Sequence, residues 1–148
     1  MDCNIDVLFP IEPPSSVNLG EDYFCVVNKF QDKAYAHIRK YGSTPIRYYP
    51  TGKGIALSKS EFTEFMTNAE QHKQLVQTTH SSKVVFINST LVVSVSVKAD
   101  GRTVTFLKGN DNLATKCVSI TVAQFETLCD AKDKLLNYIN EIEDSVVN

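Results

Sequence analysis

Apolar and polar positions along this chain switch between two periods. From residue 23 to residue 57 they alternate, the period of two that marks a half-buried strand. Tyr23–Phe30 predicts a first strand, ended by a turn at Gln31-Asp32. Lys33–Tyr41 predicts a second, with Ala34, Ala36 and Ile38 on one face and Lys33, Tyr35, His37, Arg39 and Tyr41 on the other. Gly42-Ser43-Thr44-Pro45 interrupts the pattern, and Ile46–Tyr49 reads as a short third strand. Gly52 and Gly54 bracket Lys53 as in a tight turn, leading to a fourth strand at Ile55–Leu57. The period then lengthens. Ser58 and Glu61 have capping-box spacing, and Phe62, Phe65, Met66 and Ala69 form the apolar stripe of a helix from Lys59 to about Val76.

The arrangement returns 63 residues later: Val118 stands for Ile55, Ile120 for Leu57 and Phe125 for Phe62, and Thr121 with Gln124 remakes the capping box. This spacing predicts an internal repeat. After a polar linker at 77–82, strands are expected at Lys83–Asn88, Leu91–Lys98, Arg102–Lys108 and Lys116–Ile120. Turns fall at Ala99-Asp100-Gly101, where Asp-Gly supplies a positive φ, and at Gly109–Asn112. A closing helix from Val122 to about Val147 carries Phe125, Leu128, Cys129, Leu135, Leu136, Ile139, Ile142 and Val146. Residues 1–20, with three prolines, three acids and no base, are expected to be an arm, with an extended segment at Ile5–Phe9.

Composition narrows the classes. In 148 residues, 43% hydrophobic and 22% charged is a globular balance, and a net charge of −2 excludes a simple polycation. Charge is nevertheless uneven: residues 30–59 hold six Lys or Arg against one acid, residues 121–148 two Lys against six acids. Cys3, Cys25, Cys117 and Cys129 form no CxxC pair and no zinc spacing with histidine, so they are read as buried, reduced thiols. The N-terminus lacks a basic start, and no apolar run approaches the roughly 20 residues of a membrane span. A soluble, intracellular protein is expected.

Enzymatic chemistry finds little support. Thr51-Gly52-Lys53-Gly54 lacks the first glycine of a phosphate loop and precedes a strand instead of a helix. Asp130 with Asp133 reads as a solvated helix edge, and no Ser, His and Asp set stands in a motif. No enzyme, cofactor or metal ion is expected. The outward row Lys33, Tyr35, His37, Arg39, Tyr41 is more informative, continued by Arg47, Tyr48, Tyr49 and Lys53. Aromatic rings stack on bases and Lys or Arg pair with phosphates, the two terms of single-strand binding. The same residue types also serve an ordinary solvated sheet face, and composition alone leaves both readings open.

The run F-Q-D-K-A-Y-A-H-I-R-K-Y followed by P-T-G-K-G-I-A-L-S-K-S-E-F resembles the single-stranded-DNA-binding core of the transcriptional coactivator p15 family, also called positive cofactor 4, over residues 23–76. The resemblance implies a curved four-stranded sheet backed by a helix, acting as a dimer whose two sheets form a channel for opposed strands. The DNA contacts it implies fall on Phe30, Lys33, Arg39 and Lys53. Gly42 departs from the family's bulky aromatic, so Tyr41 or Tyr48 would take the stacking role, and the connection from Gly42 to Gly52 is short. The second half matches weakly: Lys98 is aligned with Arg39 and Val92 with Lys33, while Arg102, Phe106, Lys108 and Lys116 are candidates for a partial surface.

The expectation is therefore an α+β protein of two tandem ββββα modules, each a curved antiparallel four-stranded sheet backed by one helix, packed as an intramolecular pseudo-dimer. The arm spans 1–20, the first module 21–78 and a degenerate second module 79–148. The expected function is binding of single-stranded DNA, or RNA, with low sequence specificity in nuclear transcription or replication. Partners are nucleic acid and proteins of those processes, with no membrane, and further homodimerisation is left open. The alternative is an interaction module that keeps the fold without binding nucleic acid.

Overall fold

The computed structural model describes residues 10–109 and 116–145. Strands β1 (Ser16–Gly20), β2 (Tyr23–Phe30), β3 (Lys33–Ser43) and β4 (Tyr48–Ser58) are followed by helices α1 (Lys59–Thr67) and α2 (Ala69–Thr78). Strands β5 (Lys83–Ile87), β6 (Leu91–Lys98), β7 (Gly101–Lys108) and β8 (Lys116–Thr121) are followed by α3 (Val122–Asp130) and α4 (Lys132–Ser145). Each set of strands is an antiparallel meander in sequential order, giving two ββββα modules. Both predicted capping boxes are present, at Ser58/Glu61 and Thr121/Gln124.

The strands depart from the expected bounds in two places. The first strand is β1, inside the segment expected as an arm, and residues before it are also engaged: Ile11 N–H donates to Ile46 O (2.9 Å) and Tyr48 N–H to Ile11 O (3.1 Å). The expected third and fourth strands are one strand, β4. Gly52 and Gly54 lie within it without positive φ, so the predicted tight turn is absent. A bulge takes its place, between the pairs Arg39↔Gly54 and Tyr41↔Pro50. Arg39 Nη1 donates to Thr51 O (2.9 Å) and Thr51 Oγ1 to Lys40 O (2.6 Å), binding the extra residues back to β3. The segment Ile5–Phe9, most of the turn at Gly109–Asn112, Cys3 and the last residues of the closing helix lie outside the described residues.

Each module has two helices instead of the single one expected. The breaks fall at Asn68 and Ala131, again 63 residues apart. Asn68 is a poor helix former, but alanine is the best, so local propensity does not explain the second break. Packing does. Helix α1 lies on β3 and β4 of its own sheet, whereas α2 turns away onto β5 and α3. Helix α3 packs on β7 and β8 and also on β1, and α4 crosses to β2 and β3. The second helix of each module thus covers the sheet of the other.

The exchange leaves one continuous core. It joins Val27, Ile38 and Leu57 of the first sheet to Val93, Phe106 and Ile120 of the second through Phe62, Phe65, Leu128, Leu135 and Ile139. The Phe65 ring sits 5.5 Å from Phe86 and Phe106 and 6.0 Å from Phe125, all in the second module. Arg102 on β7 donates from Nη1 to Val76 O and Gln77 O (2.7 Å each), closing the C-terminus of α2. Lys73 pairs with Asp130 at 2.5 Å, so this aspartate ties α2 to α3. Cys25 and Cys129 are buried and their thiols are pushed up to about 12 by loss of hydration. Cys117 departs from expectation: it is exposed, because its position in β8 faces outward beside Leu107.

Two outcomes follow from this core. Phe65→Ala should cost about 3–5 kcal/mol, and urea unfolding followed by circular dichroism should remain one transition. Two separated transitions would contradict a shared core. His72, stacked on Phe65 at 5.0 Å with Nε2 unpartnered, has its pKa lowered from the ordinary value by burial. The unfolded chain then binds more protons than the native one, so stability falls as pH drops below about 6.5, the ordinary histidine value. His72→Phe should reduce the difference between urea midpoints at pH 7.5 and 5.5; an undiminished difference would overturn this role.

Candidate nucleic-acid interface

The face of the first sheet turned away from the core is built by pairing. Across β2, β3 and β4, Phe24 stands opposite Arg39, which stands opposite Gly54; Val26, His37 and Ala56 form the next outward row, and Asn28, Tyr35 and Ser58 the one after. Phe30 and Lys33 close the β2–β3 hairpin, with the Phe30 ring 61% exposed. Gly54 is required opposite Arg39, since a Cβ there would lie 2.6 Å from Arg39 Cβ and from Ile38 O. The absent side chain lets the arginine stem cross the strand. His37 Nε2 lies 2.9 Å from Asn28 Oδ1, and burial, Arg39 and Lys108 together hold its pKa below the ordinary value. It is therefore a neutral hydrogen-bonding group at pH 7, and Arg39 carries the charge of this row.

The remaining expected residues scatter. Tyr41 is buried, edge-on to Phe24 at 5.3 Å, and Tyr48 packs on the same ring at 4.8 Å. Both belong to a small apolar cluster with Val26, so neither is free to stack on a base. The exposed ring is instead Tyr49, which the sequence pattern places in the basic–aromatic mixture without giving it the stacking role. It is 47% exposed and lies over Gly42, where any Cβ would come within 2.4 Å of it. The aromatic lacking at position 42 is thus supplied from the neighbouring strand. The pairing of Gly42 with Tyr49 was the available signal, hidden because β4 was divided in two. Arg47 is exposed in the β3–β4 loop and Lys53 is exposed on the bulge.

The second module requires a different alignment. Ile38↔Ile55 and Phe106↔Val118 are the equivalent inward pairs, 17 positions apart in one module and 12 in the other. Leu107, not Lys98, therefore stands where Arg39 does; Thr105 stands for His37 and Thr103 for Tyr35. Lys98 corresponds to Phe30, and Val92 to Phe24 instead of Lys33. Placing the first strand at Tyr23 shifted the comparison by one strand. Lys116 stands where Lys53 does, one residue before the partners of Leu107 and Arg39 and 63 positions apart. Arg102 is engaged with α2, and Phe106 is fully buried and offers no surface.

The modules meet around a cleft of about 1020 Å³. Tyr35, Arg39 and Ala56 line it from the first sheet, Glu64 from α1, and Lys108 and Lys116 from the second module. Lys53 is not among its lining residues. Lys108 Nζ sits 2.8 Å from Glu61 Oε1 and donates to Ala56 O at 2.7 Å, so its charge is largely neutralised. Glu61 also accepts from the Ser58 amide (2.8 Å) and the Thr90 hydroxyl. Burial alone would raise its pKa, but these donors and the Lys108 charge outweigh that and hold the carboxyl below its ordinary range. Arg39 and Lys116 remain as the cations available in the cleft.

Among known families, the model of Transcriptional Coactivator p15 (PC4) matches residues 17–68. The matched stretch, 52 of the 148 residues, lies within the first module and is similar to that family over its sheet and first helix. The match begins in β1 and ends at the break between α1 and α2, so it takes in the outward row and the β4 bulge. The second module lies outside it. No curated protein matches the chain. Among the described residues, no group of three His, Cys, Asp or Glu is placed to hold a metal ion, and no helix is long and apolar enough to cross a membrane.

The first module's contact with the second can be tested at Glu61. Glu61→Gln preserves the helix cap, as Gln124 does in the second module, but leaves Lys108 unpaired. The expected loss is about 1–3 kcal/mol at pH 7, less than for a fully buried pair because Lys108 keeps some water. A carboxylate with a lowered native pKa stabilises above its ordinary value and loses that contribution as pH falls through the native one. The gap between variant and wild type should therefore close on acidification below about 4.5, the ordinary glutamate range. Equal thermal stabilities at pH 7 would overturn the pairing.

Proposed function

We propose that this chain is a non-enzymatic binder of single-stranded nucleic acid, mainly DNA, with low sequence specificity, acting in transcription or replication in the nucleus. The observation that carries the reading is the outward row Tyr35, His37 and Arg39, of which Tyr35 and Arg39 line an open cleft, in the module that matches the p15 family. Tyr35 and exposed Phe30 and Tyr49 offer rings on which bases can stack, a contact indifferent to sequence. Arg39, Lys33, Lys53 and Lys116 offer charge to phosphates at several points around them. Few base-reading groups stand beside them, which favours affinity without strong selectivity.

The reading is tested by fluorescence anisotropy with a labelled oligo-dT of about 20 nucleotides, a span suited to single-strand sites, at two salt concentrations with duplex DNA as competitor. Tight, salt-sensitive binding that duplex does not displace is expected. The double variant Arg39→Ala/Lys53→Ala should weaken binding roughly tenfold or more. Its salt slope should fall by about 1.4, since each single-strand phosphate contact contributes about 0.7. Unchanged binding in that variant would overturn the site. Absence of binding even at low salt would favour the second reading, a protein-interaction module, for which exposed Val84, Ile87 and Leu107 on the second sheet provide an apolar surface.

A further inference from the structure

We infer that the chain holds one single strand at one site, and that the outer face of its second sheet takes no nucleic acid. The inference rests on the single-strand reading above and concerns how many strands that architecture admits. Two related modules have two equivalent places between them, and the structure contains both. One is the cleft of about 1020 Å³ floored by Tyr35 and Arg39. The other lies beside Thr103, Ser119 and Gln124, with Glu21, Tyr23 and Lys40 opposite, and measures about 270 Å³. Gln124 holds the position of Glu61 in this second hollow, and Thr103 that of Tyr35. The place is present and has Tyr23 and Lys40 on one side, but at about a quarter of the volume it is not large enough for a nucleotide run.

Chemistry separates the faces as clearly as volume. On the first sheet the outward positions of β3 are Lys33, Tyr35, His37 and Arg39; their equivalents on β7 are Gly101, Thr103, Thr105 and Leu107. No cation and no aromatic ring replaces them. The row containing Leu107 continues through Val92 to Ile87, and Ile87 is 67% and Leu107 41% exposed. Aliphatic side chains and hydroxyls supply neither stacking area nor phosphate charge, the two terms on which single-strand binding depends. Lys98, the one cation on the outward positions of β6, is confined to the end of its hairpin. Lys116 lines the large cleft, so the second module's contribution is to the first module's site.

The experiment is native mass spectrometry of the full chain with excess oligo-dT of about eight nucleotides, short enough to occupy a single face. One oligonucleotide per chain is expected. Two bound with similar affinity would overturn the inference while leaving the single-strand reading intact, whereas none bound to the wild type, with the 20-mer also failing, would overturn that reading itself. The variant Tyr35→Ala/Arg39→Ala should lose the eight-mer entirely, with its circular dichroism unchanged. Retention of one oligonucleotide with wild-type affinity would locate binding on the second sheet and overturn the inference.

Discussion

The N-terminal cap of each module's first helix is also its tie to the other module. Capping-box residues ordinarily satisfy amides within a few residues of themselves. Here Glu61 accepts from Ser58 and from Thr90 and Lys108 across the interface, while Gln124 accepts from Thr121 and donates through Nε2 to Gly20 O at 2.7 Å. Each reaches the turn between the first two strands of the opposite sheet. The helix start and the module interface are therefore set by the same side chain. Once these ends are fixed, the breaks at Asn68 and Ala131 direct α2 and α4 onto the opposite sheets, and the core closes around Phe65. Neither module covers its own inner face alone.

This explains which parts were legible in the sequence. The strands flanking Gln31-Asp32, the capping boxes and the 63-residue spacing depend on neighbours along the chain, and each is found as expected. Features decided across the fold were hidden. Strand β1 offers only Val17 and Leu19 inward, too short a pattern to stand out after three prolines. The glycines of β4 signal a turn by composition, yet serve a bulge and the passage of Arg39. The bend at Ala131 has no local cause at all. The candidate site was legible in part: the alternation of β3 gave Tyr35, His37 and Arg39, but burial of Tyr41 and Tyr48 and the placing of Tyr49 over Gly42 depend on pairs distant in sequence.

The two modules share a frame but not a surface. Inward positions keep equivalent apolar residues, as at Ile55 and Val118, because both must fill one core. Outward positions are not bound by that requirement and differ in charge, ring content and exposure. The cations of β7 add no charge to the second face, since Lys108 and Arg102 stand on the other side of the strand and are spent on Glu61 and on the end of α2. Residues that neutral composition would assign to a ligand are here holding the halves together.

Such a difference between faces is open only to halves carried on one polypeptide. In an assembly of identical subunits related by a twofold axis, every substitution appears on both faces at once. Replacing arginine by leucine would then strip both. With the short link at residues 79–82, position 39 can remain arginine while position 107 becomes leucine. The link also makes pairing of the halves intramolecular, so their union does not weaken on dilution as that of separate subunits does. A scarce protein keeps its architecture, and each face can carry its own chemistry.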